Sequence, residues 1–547
     1  MAKRTVAILG GGVAGLSAAH ELAERGFAVD VYERKPVLGG KARSIPVPGS
    51  GVGGRADLPG EHGFRFFPGF YTHVTDTMRR IPYGARGNVY ENLTVATRIL
   101  LARAGLAEIV WVARHPETLE DLRVFLIELF TPLGIPAHEL AFFVSRLLVL
   151  ATSCEQRRLA EYETMKWWDF IEAPRMSATY QAYLGQGLTR SLVAMRAQES
   201  SLRTVGYILL QLLYGLVGPG EVFDRLLNGP TNEVWIDPWT AYLEGHGVRF
   251  HRDVQVTGFE LDAGRVRRVR ATRAGQAATV DADFYIAALP VEVMASLVDA
   301  DLAAAAPSLA NLSRLRTRWM NGIQFYLRRD VPLAHGHAIY LDSPWALTSV
   351  SQRQFWPGID LSRYGDGTVG GILSVDISEW EEPGVRHRKP AMQCSAAEIV
   401  EEVWGQLQQH LNDGTKPLLE NANLIAWFLD PAIEFPNPSA ATNLEPLLVN
   451  TAGSLRDRPD AQTEIPNLFL ASDYVRTYTD IACMEAANEA ARRAANCVLA
   501  ATGSSAPPAG LWPLEEPRFL KPFQELDRMR FRLRLPHRLA LLDLPRP

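Results

Sequence analysis

The feature that most constrains the fold of this chain is a glycine-rich turn between an apolar strand and a helix. Residues 5–9 form a short β-branched run that suits a buried parallel strand. The turn GGGVAG over residues 10–15 follows at once, and residues 16–25 then predict a helix. A second strand over residues 27–32 leads directly to Glu33. This order of strand, GxGxxG turn, helix, strand and acid predicts a dinucleotide-binding α/β unit.

Each part of this unit has a physical task. Gly10 permits the tight turn, Gly12 lets the backbone approach a pyrophosphate, and Gly15 lets the helix pack closely on the strand. The free N–H groups and the positive dipole end of the helix attract phosphate. Glu33 accepts hydrogen bonds from a ribose hydroxyl, and its charge favours FAD or NAD over NADP, whose extra phosphate it would repel. A glycine-rich turn without a nucleotide is the alternative.

A second glycine-rich segment lies directly after Glu33. Residues 36–44 read PVLGGKARS, and the two glycines and two cations can form another phosphate contact. A solvated basic turn is the alternative. Flavoproteins of the amine oxidase and carotenoid desaturase superfamily have a Gly-Gly-basic turn at this place, so the sequence resembles them. The resemblance implies that the dinucleotide is FAD.

The C-terminal part of the chain resembles the closing motif of the same superfamily, a strand ending in Gly-Asp and a helix opening with Met-Glu-Gly-Ala. Here a strand over residues 467–471 precedes Asp473, and a helix is predicted over residues 482–498. The resemblance implies that Asp473 contacts the ribityl chain or pyrophosphate, and that the helix N-terminus near Met484 faces the flavin O2. Cys483 is interpreted as a packing residue, so FAD is expected to be bound non-covalently.

The middle of the chain extends the resemblance. Residues 254–259 resemble the strand near the adenine in the superfamily, and residues 281–290 resemble the alanine-proline strand that follows it, so Val256 is the implied adenine contact. The implied fold is α/β, with a Rossmann-type FAD-binding domain like that of amine oxidases and phytoene desaturases and an interleaved α+β substrate domain. The predicted FAD domain comprises residues 1–75, 225–300 and 440–503, and the substrate domain comprises residues 76–224 and 301–439.

Two segments indicate a branch of the superfamily. Residues 38–41 and residues 61–71 resemble plant and cyanobacterial phytoene and ζ-carotene desaturases, in which the second segment borders the isoalloxazine ring. Hydroxysqualene dehydroxylases share most of these features. The motifs and the resemblance together imply cofactor contacts at Gly10, Gly12, Val13, Ala14, Gly15, Glu33, Arg34, Gly39, Gly40, Lys41, Arg43, Gly63, Phe64, Arg65, Val256, Asp473 and Met484.

Two charged residues are candidate catalytic groups. Arg65 stands where the desaturases have His, so it either stabilises anionic reduced flavin or binds a polar end of the substrate; a salt-bridged structural role is the alternative. Asp480 lies in the turn before the Met484 helix. It either caps that helix or brings a carboxylate to the substrate, which would suit a hydroxyl or an amine better than a hydrocarbon.

The resemblance implies an FAD-dependent oxidoreductase that dehydrogenates a hydrophobic, isoprenoid or carotenoid-like substrate by hydride transfer to flavin N5. Apolar stretches within residues 76–229 suit a lipid-sized substrate, although they also read as core helices. The alternatives are dehydroxylation of the hydroxysqualene type, oxidation of a small amine or amino acid, and a non-catalytic FAD-binding protein. Residues 319–327 lack the lysine that amine oxidases usually have near N5. The electron acceptor is oxygen, a quinone or a nicotinamide cofactor, and the sequence does not distinguish among them.

Composition excludes several other classes. The net charge of -5 predicts no nucleic-acid partner, because binding would need a basic domain. The four cysteines are scattered, which predicts no metal site and fits a reducing, cytoplasmic compartment. The sequence contains no run of about 18 apolar residues, so we expect no membrane-spanning helix. Residues 504–547 form a basic amphipathic tail that either lies on an anionic membrane surface or packs on the protein with its arginines solvated.

Overall fold

A computed structural model of the protein describes residues 4–106, 108–111, 117–216, 224–412, 417–437 and 440–541. The strands in these ranges are β1 (Thr5–Leu9), β2 (Ala28–Tyr32), β3 (Pro82–Tyr83), β4 (Gly87–Asn88), β5 (Leu93–Ala96), β6 (Arg98–Ala102), β7 (Ile109–Trp111), β8 (Asp224–Leu227), β9 (Arg249–His251), β10 (Val254–Asp262), β11 (Arg265–Arg273), β12 (Gln276–Val280), β13 (Phe284–Ala287), β14 (Arg316–Arg318), β15 (Asn321–Leu327), β16 (Gly336–Tyr340), β17 (Leu347–Ser351), β18 (Gly371–Ile377), β19 (Leu424–Leu429), β20 (Ile433–Asn437), β21 (Ala440–Asn443), β22 (Leu447–Val449) and β23 (Leu468–Leu470).

The helices in the same ranges are α1 (Val13–Glu24), α2 (His73–Arg79), α3 (Leu119–Phe130), α4 (Ala137–Thr152), α5 (Glu155–Arg157), α6 (Trp167–Phe170), α7 (Ala178–Tyr180), α8 (Leu188–Val193), α9 (Leu202–Gly215), α10 (Asp237–Gly245), α11 (Val291–Leu297), α12 (Ala300–Ala305), α13 (Pro307–Ala310), α14 (Ala396–Leu411), α15 (Met484–Thr502) and α16 (Lys521–Arg532). Several are single turns, and the longest are α4, α9, α14 and α15, with 16, 14, 16 and 19 residues.

A parallel five-stranded sheet forms the frame of the nucleotide-binding unit. Its strand order is β23-β13-β1-β2-β9, and every neighbouring pair is parallel. The strands come from three separate parts of the chain, as the motifs predict, and α1 and α15 pack together beside them. A sheet whose strands are buried on both faces needs apolar strand residues, and Ile8 and Leu9 are fully buried. The predicted α/β fold class is confirmed.

A mostly antiparallel seven-stranded sheet forms the second frame, with strand order β19-β15-β18-β17-β16-β6-β7. Its strands all fall in the two stretches predicted for the substrate domain, and β6 and β16 form its one parallel pair. Helix α14 covers one face, where Phe325 and Trp404 have ring centroids 5.1 Å apart. The exact domain limits remain a prediction.

Helices α3, α4 and α9 enclose a further apolar core. Phe143, Leu147 and Trp167 are fully buried there, so the core-helix interpretation holds for most of these apolar stretches. Only Ile208 and Leu212 of α9 also reach the cavity described below. By length and composition, none of the helices in the described ranges could cross a membrane singly; Ala137–Thr152 and Glu155–Tyr162 meet the criteria only as a pair, bent by 108°.

The C-terminal segment packs on this helical core. Leu520 is fully buried, and Asp527 is almost so. The Asp527 carboxylate accepts hydrogen bonds from the Cys154 N–H at 2.9 Å and from Arg157 Nε at 3.0 Å. Arg157 also donates to the Leu535 carbonyl at 2.9 Å. Within residues 504–541, one face of the tail is therefore attached to the protein, and the opposite face is solvated.

Candidate active site

A cavity of about 640 Å³ begins where the strands of the parallel sheet end. Gly10, Glu33, Ala288 and Ser472, which follow β1, β2, β13 and β23, line it. The cavity continues to the second sheet, where Met320 precedes β15. In open parallel sheets, ligands bind in the crevice outside the carboxyl ends of the strands. The cavity therefore lies where the fold predicts a dinucleotide.

The two glycine turns predicted to hold phosphates lie against each other. The Gly39 N–H donates to the Gly11 carbonyl at 2.9 Å. A Cβ on Gly40 would lie 2.9 Å from Gly12 Cα, so Gly40 has no room for a side chain, whereas a Cβ on Gly12 would lie 3.5 Å from Gly40 Cα. Gly12 also serves as the N-cap of α1, which brings the helix N-terminus to the cavity together with Val13 and Ala14. A flat backbone cradle of this kind fits a pyrophosphate.

Gly10 and Gly15 hold the first turn together. Gly10 has a φ of +110°, which only glycine adopts without strain. A Cβ on Gly15 would lie 1.9 Å from the Gly10 carbonyl oxygen, so the helix could not approach the strand. The residue types that the motif demands are therefore explained by contacts in this protein.

Glu33 lies buried at the nucleotide end of the cavity. Its Oε2 accepts from the Gly11 N–H at 2.8 Å, and its Oε1 accepts from the Lys35 N–H at 2.9 Å. A carboxylate has four acceptor sites, so two remain for ribose hydroxyls. Val256 of β10 lines the same end. The residues present fit the adenosine part of FAD.

The predicted cations make contacts that the sequence did not predict. Arg43 is buried and donates to Glu445 Oε2 at 2.8 Å, and Arg34 lies 3.6 Å from the same carboxylate. Lys41 lies 3.5 Å from Glu292. Burial raises the pKa of Glu445, but Arg43 and the other nearby cations outweigh it and hold that pKa well below its usual range. Lys41 and Arg34 line the cavity, whereas Arg43 supports it from behind through Glu445.

The N-terminus of α15 points into the cavity. Cys483 is its N-cap, and the sulfur accepts from the Ala486 N–H at 3.4 Å. Met484 and Asp473, which are predicted to contact the cofactor, line the cavity. The expectation that Asp480 caps this helix is wrong, because the cap is three residues further on.

Asp480 has a different set of partners. Its two carboxylate oxygens form ion pairs with Arg203 and Arg458, and all three side chains are buried. Its carbonyl accepts from Asn450 Nδ2 at 3.1 Å. Asp480 is not among the residues that line the cavity, although Ile481 is. The structure therefore gives Asp480 a structural role and does not bring it to a substrate, contrary to the expectation of a catalytic carboxylate.

Charged groups gather at the inner end of the cavity, near the second sheet. Arg65 lines the cavity and donates to the Phe64 carbonyl at 3.0 Å. Burial lowers the pKa of Arg65, while the nearby Glu61 opposes this shift. His62 also lines the cavity, and its Nδ1 lies 2.6 Å from Oδ2 of the fully buried Asp430. Sequence reasoning singled out Arg65 but missed this histidine pair.

Asp376, also missed, completes the charged group. It lies in β18, lines the cavity, and is almost fully buried. Burial raises its pKa to about 7, although Arg65 opposes the shift. An isolated aspartate inside the apolar run GILSVDI is uncommon, because charged residues are rarely buried without a partner. That pattern was the available signal.

Apolar side chains form the remaining wall of the inner end. This wall consists of Phe64, Phe66, Phe70, Tyr71, Ile208, Leu212, Met320 and Ile481. Strand β15 contains no lysine, and its buried Asn321 bonds Asp430 at 2.5 Å. Lys389 bonds Glu398 at 2.6 Å, is partly exposed and does not line the cavity, while Lys416 lies outside the described residues.

The parallel sheet, the paired glycine turns and the helix directed at the cavity define a dinucleotide-binding protein. The chain matches the model of the flavin containing amine oxidoreductases over residues 13–499, and it belongs to that family. The predictions of FAD as cofactor and of an FAD-dependent oxidoreductase are confirmed. The predicted relationship to carotenoid desaturases is confirmed by the relatives that follow.

Two relatives resemble the chain over most of its length. A carotenoid phi-ring synthase of Streptomyces griseus is 26% identical over 523 residues, covering 90% of this chain and 87% of the relative. A zeta-carotene desaturase of Synechocystis is 24% identical over 537 residues, covering 90% of this chain and 97% of the relative.

Solved structures show the same fold. Putrescine oxidase bound to putrescine has a TM-score of 0.59 at 13% identity, covering 91% of this chain and 99% of its own. Cyclohexylamine oxidase from Brevibacterium oxydans has a TM-score of 0.59 at 13% identity, covering 92% of this chain and 99% of its own. At such identities the likeness concerns the fold alone.

Proposed function

We propose that this protein uses FAD to dehydrogenate a hydrophobic, isoprenoid-type substrate. The observation that carries the proposal is the apolar wall at the inner end of the cavity, beside the segment containing Phe64 and Arg65. The absence of a lysine from β15 argues against an amine oxidase, and the relatives named for carotenoid chemistry support an isoprenoid. Oxygen or a quinone is the electron acceptor in this proposal.

The chain's own residues hold and orient both partners. Bound FAD supplies a hydride acceptor at N5. Glu33 would bind the adenosine ribose, the paired glycine turns would hold the pyrophosphate, and the N-terminus of α15 would stabilise negative charge on the flavin. The wall around Phe64 and Phe70 would exclude water and align an allylic C–H. Arg65 would stabilise the anionic reduced cofactor or bind a polar substrate end.

A first test is anaerobic reduction of the flavin. The purified holoprotein would be mixed with phytoene, hydroxysqualene and a panel of amines while the visible spectrum is recorded. Bleaching by an isoprenoid hydrocarbon is the expected result. Bleaching by amines alone would show that the substrate proposal is wrong.

Dehydroxylation of the hydroxysqualene type is the second candidate, because the charged inner end of the cavity contains Arg65 and His62. That reaction consumes reduced flavin, so the dithionite-reduced protein would also be mixed with hydroxysqualene. Reoxidation of the flavin would favour dehydroxylation.

The proposed pyrophosphate contact has its own test. In Gly12→Ala the new Cβ would meet nothing nearer than Gly40 Cα at 3.5 Å, so the apoprotein should fold normally. The methyl group would nevertheless occupy the surface against which the pyrophosphate lies, so FAD affinity should fall at least about tenfold. Gly405→Ala in α14, where a Cβ meets nothing within 4 Å, is the control and should bind FAD normally. Unchanged FAD affinity in Gly12→Ala would place the pyrophosphate elsewhere.

We also propose that the tail binds the cytoplasmic surface of an anionic membrane, which would give access to lipid-dissolved substrates. Its solvated face includes Met529, 57% exposed, and Leu533, 70% exposed, beside the exposed cations Arg532 and Arg534. Apolar and basic groups together favour an interfacial position. Deleting the tail would also remove Asp527, the partner of Arg157, so point variants are the better test.

The variants separate the apolar from the electrostatic contribution. Leu533→Ser should weaken co-sedimentation with phosphatidylglycerol vesicles. Separately, Arg532→Gln combined with Arg534→Gln should weaken it by about 30-fold, at roughly 1 kcal/mol per charge. Leu106→Ser and Arg456→Gln, exposed residues elsewhere, are the matched controls. Equal sedimentation of all variants would exclude the tail as the membrane contact.

A further inference from the structure

Two glycines leave room for the side chain of Asp376 at the inner end of the cavity. In the sheet, Asp376 of β18 is paired with Gly322 of β15. A Cβ on Gly322 would lie 2.6 Å from Gly63 Cα, and a Cβ on Gly63 would lie 2.6 Å from Asp376 Oδ1. A side chain at Gly63 would therefore displace the carboxyl group, and a side chain at Gly322 would displace the backbone of Gly63.

The Asp376 carboxyl group is incompletely paired. Its Oδ1 is buried and has no hydrogen-bond partner in the described part of the chain, while the Phe64 N–H interacts with the carboxyl group. The residue is 6% exposed. The charged and titratable side chains that act on it are Arg65, His337 and Asp430. Of these, His337 is paired with Asp224 at 2.6 Å and Asp430 with His62 at 2.6 Å.

We propose that Asp376 is the proton acceptor of the dehydrogenation. The inference rests on the proposed function, because forming a C=C bond removes two hydrogens and only one of them leaves as hydride. One C–H bond breaks with its electron pair, which reduces the bound flavin, the oxidant. The proton of the neighbouring C–H passes to the Asp376 carboxylate, and the electron pair left behind forms the new double bond. The substrate loses two electrons and two hydrogens, and flavin and Asp376 together receive them.

The surroundings of Asp376 suit this task. A general base works best when its pKa lies near the working pH, and burial raises the pKa of Asp376 to about 7. The paired carboxylates nearby are unsuited: Asp430 does not line the cavity, and His62 holds it. Arg65 lines the cavity close enough to act on the charge of Asp376 and so keeps part of the population ionised at neutral pH.

The test compares Asp376→Asn with Asp330→Asn. Asp330 contacts the other end of the same strand, where a Cβ on Gly371 would lie 2.7 Å from its Cα, and burial raises its pKa too. Asp376→Asn should slow anaerobic flavin reduction by an isoprenoid by about 10²- to 10⁴-fold. FAD affinity and the visible spectrum should stay unchanged. Asp330→Asn should react at the wild-type rate.

A second readout needs neither substrate nor turnover. In holoprotein labelled with carbon-13 at the aspartate carboxyl groups, one NMR signal should titrate near pH 7 in the wild type and in Asp330→Asn, and should be missing in Asp376→Asn. Wild-type reduction rates in Asp376→Asn, or persistence of that signal, would overturn the assignment. If no isoprenoid reduces the wild-type flavin, the proposed function itself fails, and the proton-acceptor role falls with it.

Discussion

Two buried aspartates, one in the turn before α15 and one in β18, differ in how completely they are paired. Asp480 has an arginine on each carboxylate oxygen and does not line the cavity. Asp376 has an oxygen without a partner and lines the cavity. Burial alone therefore does not identify a functional carboxyl group in this protein. A carboxyl oxygen without a partner at a cavity wall is a better indication, because such a group can reach a bound substrate.

The largest expected effect on stability comes from replacing Asp480, the paired aspartate. Asp480→Asn would leave the buried Arg203 and Arg458 without a counter-ion, so the free energy of unfolding should fall by about 3–5 kcal/mol. Urea unfolding of the holoprotein would measure it. The bound flavin spectrum should be unchanged in the folded protein. An unchanged unfolding midpoint would mean that the arginines find other partners, and the contrast between the two aspartates would disappear.

Replacing Asp376, the incompletely paired aspartate, should have the opposite effect and increase the free energy of unfolding at neutral and higher pH. Because the native pKa of Asp376 is raised to about 7, the folded state binds the proton more tightly than the unfolded state. Wild-type stability should therefore decrease as the pH rises from the unfolded pKa to about 7, by up to about 1.4 kcal/mol per pH unit. Asp376→Asn escapes this loss, so it should be more stable than the wild type above pH 7.

Thermal unfolding of both proteins between pH 5 and pH 9 would measure that difference. The stability advantage of Asp376→Asn should grow with pH and level off above about pH 7. Asp330→Asn provides the comparison at the other end of β18. A constant difference at all pH values would show that Asp376 does not titrate in this range.

The smallest effect concerns the coupling between two cavity residues. Arg65 lowers the pKa of Asp376, so Arg65→Gln should move the carboxyl titration to higher pH, by about one unit. The carbon-13 titration proposed above would detect it. A downward movement would mean that Arg65 acts on Asp376 mainly through packing rather than charge.

The nucleotide end of the site could be predicted from sequence because its requirements are local. Gly10, Gly12 and Gly15 contact one another or the next turn, and Glu33 bonds the Gly11 N–H directly. The spacing of these residues in the sequence therefore predicts their arrangement in the structure. Asp473 and Met484 line the cavity, and their contacts with the cofactor stay predictions.

The inner end could not be predicted in this way because distant residues create it. Asp376 faces the cavity only because β18 pairs with β15 and because Gly322 meets Gly63. The partner of Asp480 that decides its role, Arg203, is 277 residues away in the chain. The sequence shows that both aspartates exist, but the register of the sheet and the ion pairs determine which one is free to react.

The parallel sheet also has a consequence for how the chain is made. The Thr5 hydroxyl donates to Asp283, which is made 278 residues later. Strand β13 in turn pairs with β23, which begins at residue 468, so the sheet is completed only after that strand is made. At about 5–20 residues per second, the ribosome leaves the first strand incomplete for on the order of a minute. During that time an apolar strand edge is open to other nascent chains. Soluble yield should therefore improve with faster synthesis or with chaperones that shield this edge.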